Sequence, residues 1–346
     1  MPVVETQEPL FSQRGGRRYG PVVASVVVAV IVCLLVTAFV VFQLASGAHA
    51  DHAEHPGPGA NDYVEISDVP VGAPPPAVTP DGSTGSFAEH CGSDADGLHR
   101  NADNVIASPG VSGGAHHVHD YVGNLSTNAF STDASLAAAG TTCASGDKST
   151  FYWPVLRILG EQGSDANAVG GGVDGNVGRI ITASSVNIQY VGSPVSKVVA
   201  APEFLRETIG DPKALTDGGQ FAAVHWTCTG HTNQITEQYP ICPTGSQVER
   251  IFDFPSCWDG RSLDSTNHHT HLMSPAANGE CPHATFPVPE LRIVLTYAVP
   301  TGSDYAIDSF PEQLRSPISD HGDYIDVMSD QEQAQVVSCI NSGRAC

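Results

Sequence analysis

Positive charge is scarce in this chain. Lys and Arg number 15 against 37 Asp and Glu, a formal net charge of −22 over 346 residues. Arg14, Arg17 and Arg18 are the only basic residues before Arg100. Gripping a phosphate backbone needs a basic surface, so nucleic acid is excluded as a partner; an acid excess of this kind keeps an exported domain soluble. No Cys-x-x-Cys occurs, which argues against thiolate zinc sites and thiol-exchange centres. No internal repeat is present. Large apolar side chains are sparse from residue 45 to 86, where Pro74, Pro75 and Pro76 stand in a row. Such a stretch buries too little surface to offset the entropy of ordering. It is expected to be a Pro/Gly-rich linker, extended by about 3 Å per residue where proline dominates.

One long apolar run does stand out. Pro21 to Leu44 carries no charge and is rich in Val, Ala, Leu and Ile; about 24 residues at roughly 1.5 Å each cross a hydrocarbon core of about 30 Å. A single transmembrane helix over 21–44 is expected, acting as an uncleaved signal-anchor in the cell membrane. The three preceding arginines place residues 1–20 in the cytoplasm and the remainder outside. Ala48-His49-Ala50 resembles a cleavage site, so secretion after cleavage near Ala50 is the alternative, although the run exceeds the roughly 7 to 15 residues of a signal core.

Cysteine usage suits that address. Of nine cysteines Cys33 lies in the apolar run, leaving an even eight in a compartment where disulfides persist. Eight cysteines allow about 105 pairings. Cys228 with Cys242 and Cys257 with Cys281 would close short loops, and a loop near 15 residues stabilises by about 3 kcal/mol in the chain-entropy model.

Residues 87–346 have the composition of one globular extracytoplasmic domain. Val186, Ile188 and Tyr190 alternate with polar neighbours, as do Leu291, Ile293, Leu295 and Tyr297, which predicts half-buried strands. Short apolar runs at 151–159, 221–226 and 251–254, separated by Gly and Pro turns, complete the picture of a mainly β fold. The expectation is a β-sandwich or jelly-roll-like single domain with long loops. Ser329 and Glu332 form a capping box that predicts a C-terminal helix. The glycine-rich segment 160–178 reads as a mobile surface loop or an insertion.

Histidine carries the chemistry. It clusters at His116, His117 and His119, at His268, His269 and His271, and at His321 beside Asp323. Imidazole is the commonest metal ligand and the readiest proton carrier near neutrality. In an extended strand His117 and His119 share one face about 7 Å apart while His116 points away. In the second cluster His268 and His271 share a face in a helical turn, His269 and His271 in a strand, and Asp259 and Asp264 lie close in sequence. Neutral imidazoles with carboxylates suit zinc, copper, iron or manganese. Two further strings are chance matches: Gly110-Val111-Ser112-Gly113-Gly114 lacks the strand and helix of a nucleophile elbow, and Gly170, Gly172 and Gly175 lack the strand of a dinucleotide loop.

Taken in order, Asp103-Asn104-Val105-Ile106, His117-Val118-His119, Phe254-Pro255-Ser256-Cys257-Trp258-Asp259-Gly260, Leu263-Asp264-Ser265, His268, His271, Cys281-Pro282 and His321-Gly322-Asp323-Tyr324 resemble the secreted DUF1996 domain over about 87–340. The resemblance implies a cysteine-bearing secreted domain with polysaccharide as its target, and it matches His117, His119, Asp259, Asp264, His268, His271, His321 and Asp323 to the family's polar positions. Asn267 and Ser274 depart from it, standing where aspartate and tyrosine are usual.

The leading expectation gathers those eight residues in one catalytic pocket. There His117, His119, His268, His271 and His321 would hold a divalent transition metal or act in proton transfer during cleavage of an envelope or extracellular polysaccharide. The competing reading is a non-catalytic glycan-binding or envelope module, with Trp153, Trp226 and Trp258 as a sugar platform or as core. A pH sensor built on the clustered histidines is a third.

Overall fold

The computed structural model describes residues 57–346. The expected cytoplasmic stretch 1–20, the membrane span 21–44 and Cys33 lie outside the described residues. Among those described, no helix is long and apolar enough to cross a membrane.

The protein is mainly β, with few helices, as the alternating patterns predict. Ten strands form two five-stranded antiparallel sheets: β1 (Ser86–Glu89), β2 (Arg100–Asn101), β3 (His119–Gly123), β4 (Thr150–Pro154), β5 (Ser185–Val191), β6 (Arg206–Gly210), β7 (His225–Cys228), β8 (Val248–Asp253), β9 (Glu290–Tyr297) and β10 (His321–Ile325). The first sheet runs β7-β8-β9-β5-β1 and the second β2-β3-β4-β10-β6.

In the first sheet the period-two pattern decides register. Ile188 pairs with Ile293, and Tyr190 with Leu291, so Val186, Ile188 and Tyr190 of β5 share one face with Leu291, Ile293 and Leu295 of β9, leaving Val191 and Val294 on the other. The second sheet shows no such alternation, because β3, β4 and β10 are buried along their whole length. Phe151, Trp153, Gly322 and Tyr324 face the first sheet. There the Phe252 ring lies about where a Cβ on Gly322 would touch it, and the Tyr190 and Tyr324 hydroxyls are 2.9 Å apart. The opposite face carries His119, Tyr121, Tyr152, His321, Asp323 and Ile325. It is covered by Val105, Ile106, Leu136 and Val327 around a stacked Tyr121–Tyr152 pair. Trp153 and Trp226 fill the core at 1% and 0% exposure, so neither is a sugar platform.

The capping box forms as expected. Ser329 accepts from the Glu332 amide, Glu332 returns the bond to the Ser329 amide at 2.7 Å, and the helix runs Asp330–Asn341. Four disulfides join Cys91–Cys143, Cys228–Cys242, Cys257–Cys281 and Cys339–Cys346. The two short loops foreseen from spacing are among them.

Two expectations need correction. Part of the expected 45–86 linker is docked, residues 45–56 lying outside the described residues: Tyr63–Glu65 pairs in parallel with Tyr239–Ile241, and Ile66 and Val69 bury against the Cys228–Cys242 disulfide. A few well-placed apolar residues suffice when the rest of the same unit supplies the core, which average composition hides. The segment 160–178 is pinned rather than loose. Arg157 grips Asp165, and the buried Asn176 amide donates to the carbonyls of His116, Gly170 and Ser309.

Candidate metal centre and cleft

The chain enters β3 with the periodicity that puts His117 and His119 on one side, and β10 brings His321 beside them across Pro154 of β4. The three rings converge through Nε2. The His117–His119, His117–His321 and His119–His321 separations are 3.0, 3.1 and 3.4 Å. All three residues are buried, at 0–2% exposure. His116 turns away to solvent and meets Asp174 at 2.9 Å.

Tautomers follow from the hydrogen bonds. His119 Nδ1 lies 2.9 Å from the Asp103 carbonyl and His321 Nδ1 3.1 Å from the Ser319 carbonyl. A carbonyl only accepts, so each Nδ1 carries the proton and each Nε2 presents a lone pair to the centre. At most one proton, on His117 Nε2, can sit among these lone pairs. His117 Nδ1 is buried without a hydrogen-bond partner. Protonation is opposed throughout: burial first, then the His119 and His321 rings, push His117 well below the ordinary range. His119 is lowered by burial and by His321, and burial lowers His321 to about 4.

Three converging ring nitrogens at a buried point that resists protons suit a metal cation. Nitrogens bound at about 2.0–2.1 Å stand about 3.3 Å apart around a tetrahedral ion and about 3.0 Å apart on one face of an octahedral one, whereas a planar set needs one pair about 4 Å apart. The observed triangle fits the first two. No fourth His, Cys, Asp or Glu joins the group among the described residues, which matches the open position of catalytic rather than structural sites.

Two buried ion pairs hold the ligand backbone. Arg157 clasps Asp308 with contacts of 2.5 and 2.9 Å, and Asp308 Oδ2 accepts from the amide of Val118, between two of the histidines. Arg250 clasps Asp320 in the same bidentate way, donates to the Pro154 carbonyl at 2.8 Å and lies over the Trp226 and Phe252 rings. Asp320 Oδ1 accepts from the His321 amide at 2.8 Å. Gly210 pairs with His321 at φ +87°; a Cβ there would stand 2.1 Å from the Asp320 carbonyl oxygen.

His321 also lines a cleft of about 210 Å³, shared with Asp323, Asn104, Thr208, Lys213 and His268. Asp323 is fully engaged: Asn104 donates to Oδ2 at 2.9 Å and Thr208 to Oδ1 at 2.7 Å, while burial raises it to about 6. His268 Nδ1 faces both Asp264 oxygens, at 2.9 and 3.1 Å, from a left-handed backbone position at φ +58°. The Asp264 carboxylate raises the His268 imidazole above its usual value and is itself lowered in turn.

Five of the eight expected residues therefore meet here in two adjoining groups, the trihistidine and the cleft, with Asp264 as a sixth behind His268. The remaining two do not. His271 is buried with Nε2 at 2.7 Å from the Arg206 carbonyl and Nδ1 at 3.0 Å from Ser265 Oγ, so it ties the 265–271 loop to β6. Asp259 accepts from the Arg261 and Ser262 amides and the Ser262 hydroxyl in its own turn. Neither lines the cleft. Asn267 does a comparable job: its Oδ1 accepts from the Thr270 amide and the Ser265 and Thr270 hydroxyls, a role an aspartate would fill equally. Asp308, Asp320, Arg157 and Arg250 escaped sequence reading, since no local pattern marks a buried carboxylate or its distant arginine.

Neither a curated protein nor a solved structure matches the chain. A family model described as a domain of unknown function matches residues 104–326, which span both ligand strands and the cleft. By that match the chain belongs to the DUF1996 family.

Proposed function

We propose that the protein is a metal-dependent hydrolase of extracellular or envelope polysaccharide, held at the cell membrane by the apolar segment 21–44. The reading is carried by one observation: three imidazoles aim their Nε2 atoms at a single buried point that no fourth His, Cys, Asp or Glu completes among the described residues. A divalent ion held there would polarise a substrate bond and activate water at neutral pH. His119 and His321 hold the inward tautomer through the Asp103 and Ser319 carbonyls, the outer-shell arrangement usual for metal-binding histidine. Four disulfides support an oxidising compartment. Amides, hydroxyls and carboxylates in the cleft suit a hydroxyl-rich substrate, and Lys213 is its only cationic side chain apart from the imidazoles.

The 0–2% exposure of the rings favours a second reading, a non-catalytic envelope module whose metal is structural. Metal analysis of the purified full chain, followed by assay on cell-wall polysaccharides with the His117→Ala and His321→Ala variants as controls, separates the two. Activity that appears with the metal and vanishes in both variants supports the hydrolase; metal without hydrolysis supports the structural reading; no metal defeats both.

A further inference from the structure

The cleft beside the trihistidine suggests which bond is attacked, an inference resting on the hydrolase reading above. Enzymes that cleave glycosidic bonds canonically place two working carboxyl groups about 5–9.5 Å apart across the scissile bond. The carboxylates lining this cleft each accept hydrogen bonds from neighbouring groups. Asp323 spends both oxygens on Asn104 and Thr208. Asp211 accepts from the Lys213 and Phe221 amides, and Asp217 from the Gly219 amide.

His268 is the imidazole of the cleft whose ring is held by a carboxylate. Its Nδ1 is held by Asp264, its Nε2 makes no hydrogen bond among the described residues, and its side chain is 29% exposed on the cleft wall. A carboxylate orienting one imidazole nitrogen while the other faces substrate is the base-and-orienter arrangement of acyl-transfer chemistry. The backbone supports that purpose. His268 sits at φ +58°, a conformation that costs a non-glycine residue free energy, and the Asn267 and Ser265 side chains brace the turn around it.

We infer that the cleft hydrolyses acyl substituents, esters or amides carried on a polysaccharide, with the Asp264–His268 pair relaying the proton. His268 Nε2 takes a proton from the attacking water as that oxygen bonds to the acyl carbon. It returns the proton to the sugar oxygen or nitrogen as the acyl bond breaks. One water is consumed, a carboxylic acid and a free hydroxyl or amine are released, and the pair ends as it began. Asp264 holds the ring and stabilises its charged form. The other charged or titratable groups felt by the ring are Asp323, Arg206 and its chain neighbour His269.

The test uses the zinc-loaded full chain on acetylated xylan, chitin oligomers and 4-nitrophenyl acetate, scoring released acetate and new reducing ends separately. Acetate without reducing ends is expected, falling about 10²- to 10⁴-fold in His268→Gln and Asp264→Asn with bound zinc unchanged. A second readout is free of turnover: in histidine NMR titrations the His268 ring should titrate above free histidine and drop in Asp264→Asn. Reducing ends without acetate, no acetate from any substrate, or acetate release indifferent to both variants overturns the inference while leaving the metal reading standing. Failure to load zinc defeats that underlying reading instead.

Discussion

Replacing Asp320 by Asn should destabilise the domain severely although it removes no apolar atom and barely changes shape. Arg250 and Asp320 are both fully buried, and Asp320 receives two guanidinium donors besides the His321 amide. Neutralising the carboxylate leaves a guanidinium in the core without its counter-charge, and breaking a buried pair from one side typically costs about 3–5 kcal/mol. Whole-domain stability is typically about 5–15 kcal/mol, so about a fifth or more of it is at stake. At about 2–4 °C per kcal/mol for a domain of this class, the melting temperature should fall by about 6–20 °C. Circular dichroism in an oxidising buffer would follow it. The exposed Arg292–Asp253 pair supplies the control, since at 43% and 36% exposure solvent screens it and Asp253→Asn should move the midpoint by no more than about 2 °C. Adding Arg250→Met to Asp320→Asn should cost less than the sum of the single changes, because the stranded charge is gone. An Asp320→Asn midpoint within 2 °C of wild type, or strict additivity in the cycle, would show that the pair does not hold β10 as described.

Further outcomes follow from the same geometry. Without metal, the trihistidine binds fewer protons folded than unfolded, since burial lowers all three rings. Its stabilising effect is therefore complete above about pH 6.5 and is lost as pH falls toward the His321 value of about 4, about 3 kcal/mol for that ring alone. Asp147 and Glu290, raised by burial to about 7, act in the opposite sense, so the measurement is a difference. Between pH 4 and 7 the melting temperature of metal-free His321→Gln should depend less steeply on acid than wild type, and parallel profiles would refute the assignment. Gly210→Ala should lower stability by several kcal/mol in denaturant titration, because its positive φ and the Asp320 carbonyl leave no room for a methyl group. Removing Cys91–Cys143, which closes a 52-residue separation, should cost about 4 kcal/mol, against about 2.5 kcal/mol for the 7-residue Cys339–Cys346 loop. Equal losses would argue against loop entropy as the cause.

The parts legible in the sequence are those with local signatures. β5 and β9 announced themselves by alternation because one face of their sheet is buried and the other is not. The final helix did so by its Ser329–Glu332 cap. His117 and His119 stand together as their spacing suggests, although His117 lies in the bend before β3 rather than in the strand. In the second sheet only the apolar run through β4 was legible, and its orientation was not: β3, β4 and β10 are covered on both faces, so His119, Asp120, Asp323 and Thr150 lie among aromatics with no polar side to mark orientation. Proximity in sequence also misled. His271 and Asp259 stand near His268, yet one is a buried tie to Arg206 and the other closes a turn. His321 completes the site from more than 200 residues away, and only sheet topology brings it there.

The central claim is that His117, His119 and His321 bind one metal ion through Nε2. X-ray absorption on the zinc-loaded full chain measures that most directly. The account predicts about one zinc per chain, a shell of three imidazole nitrogens at about 2.0–2.1 Å with lighter donors completing it, and loss of the signal in His321→Ala. Zinc that fails to bind stoichiometrically, or that keeps its imidazole shell after His321 is removed, would contradict it.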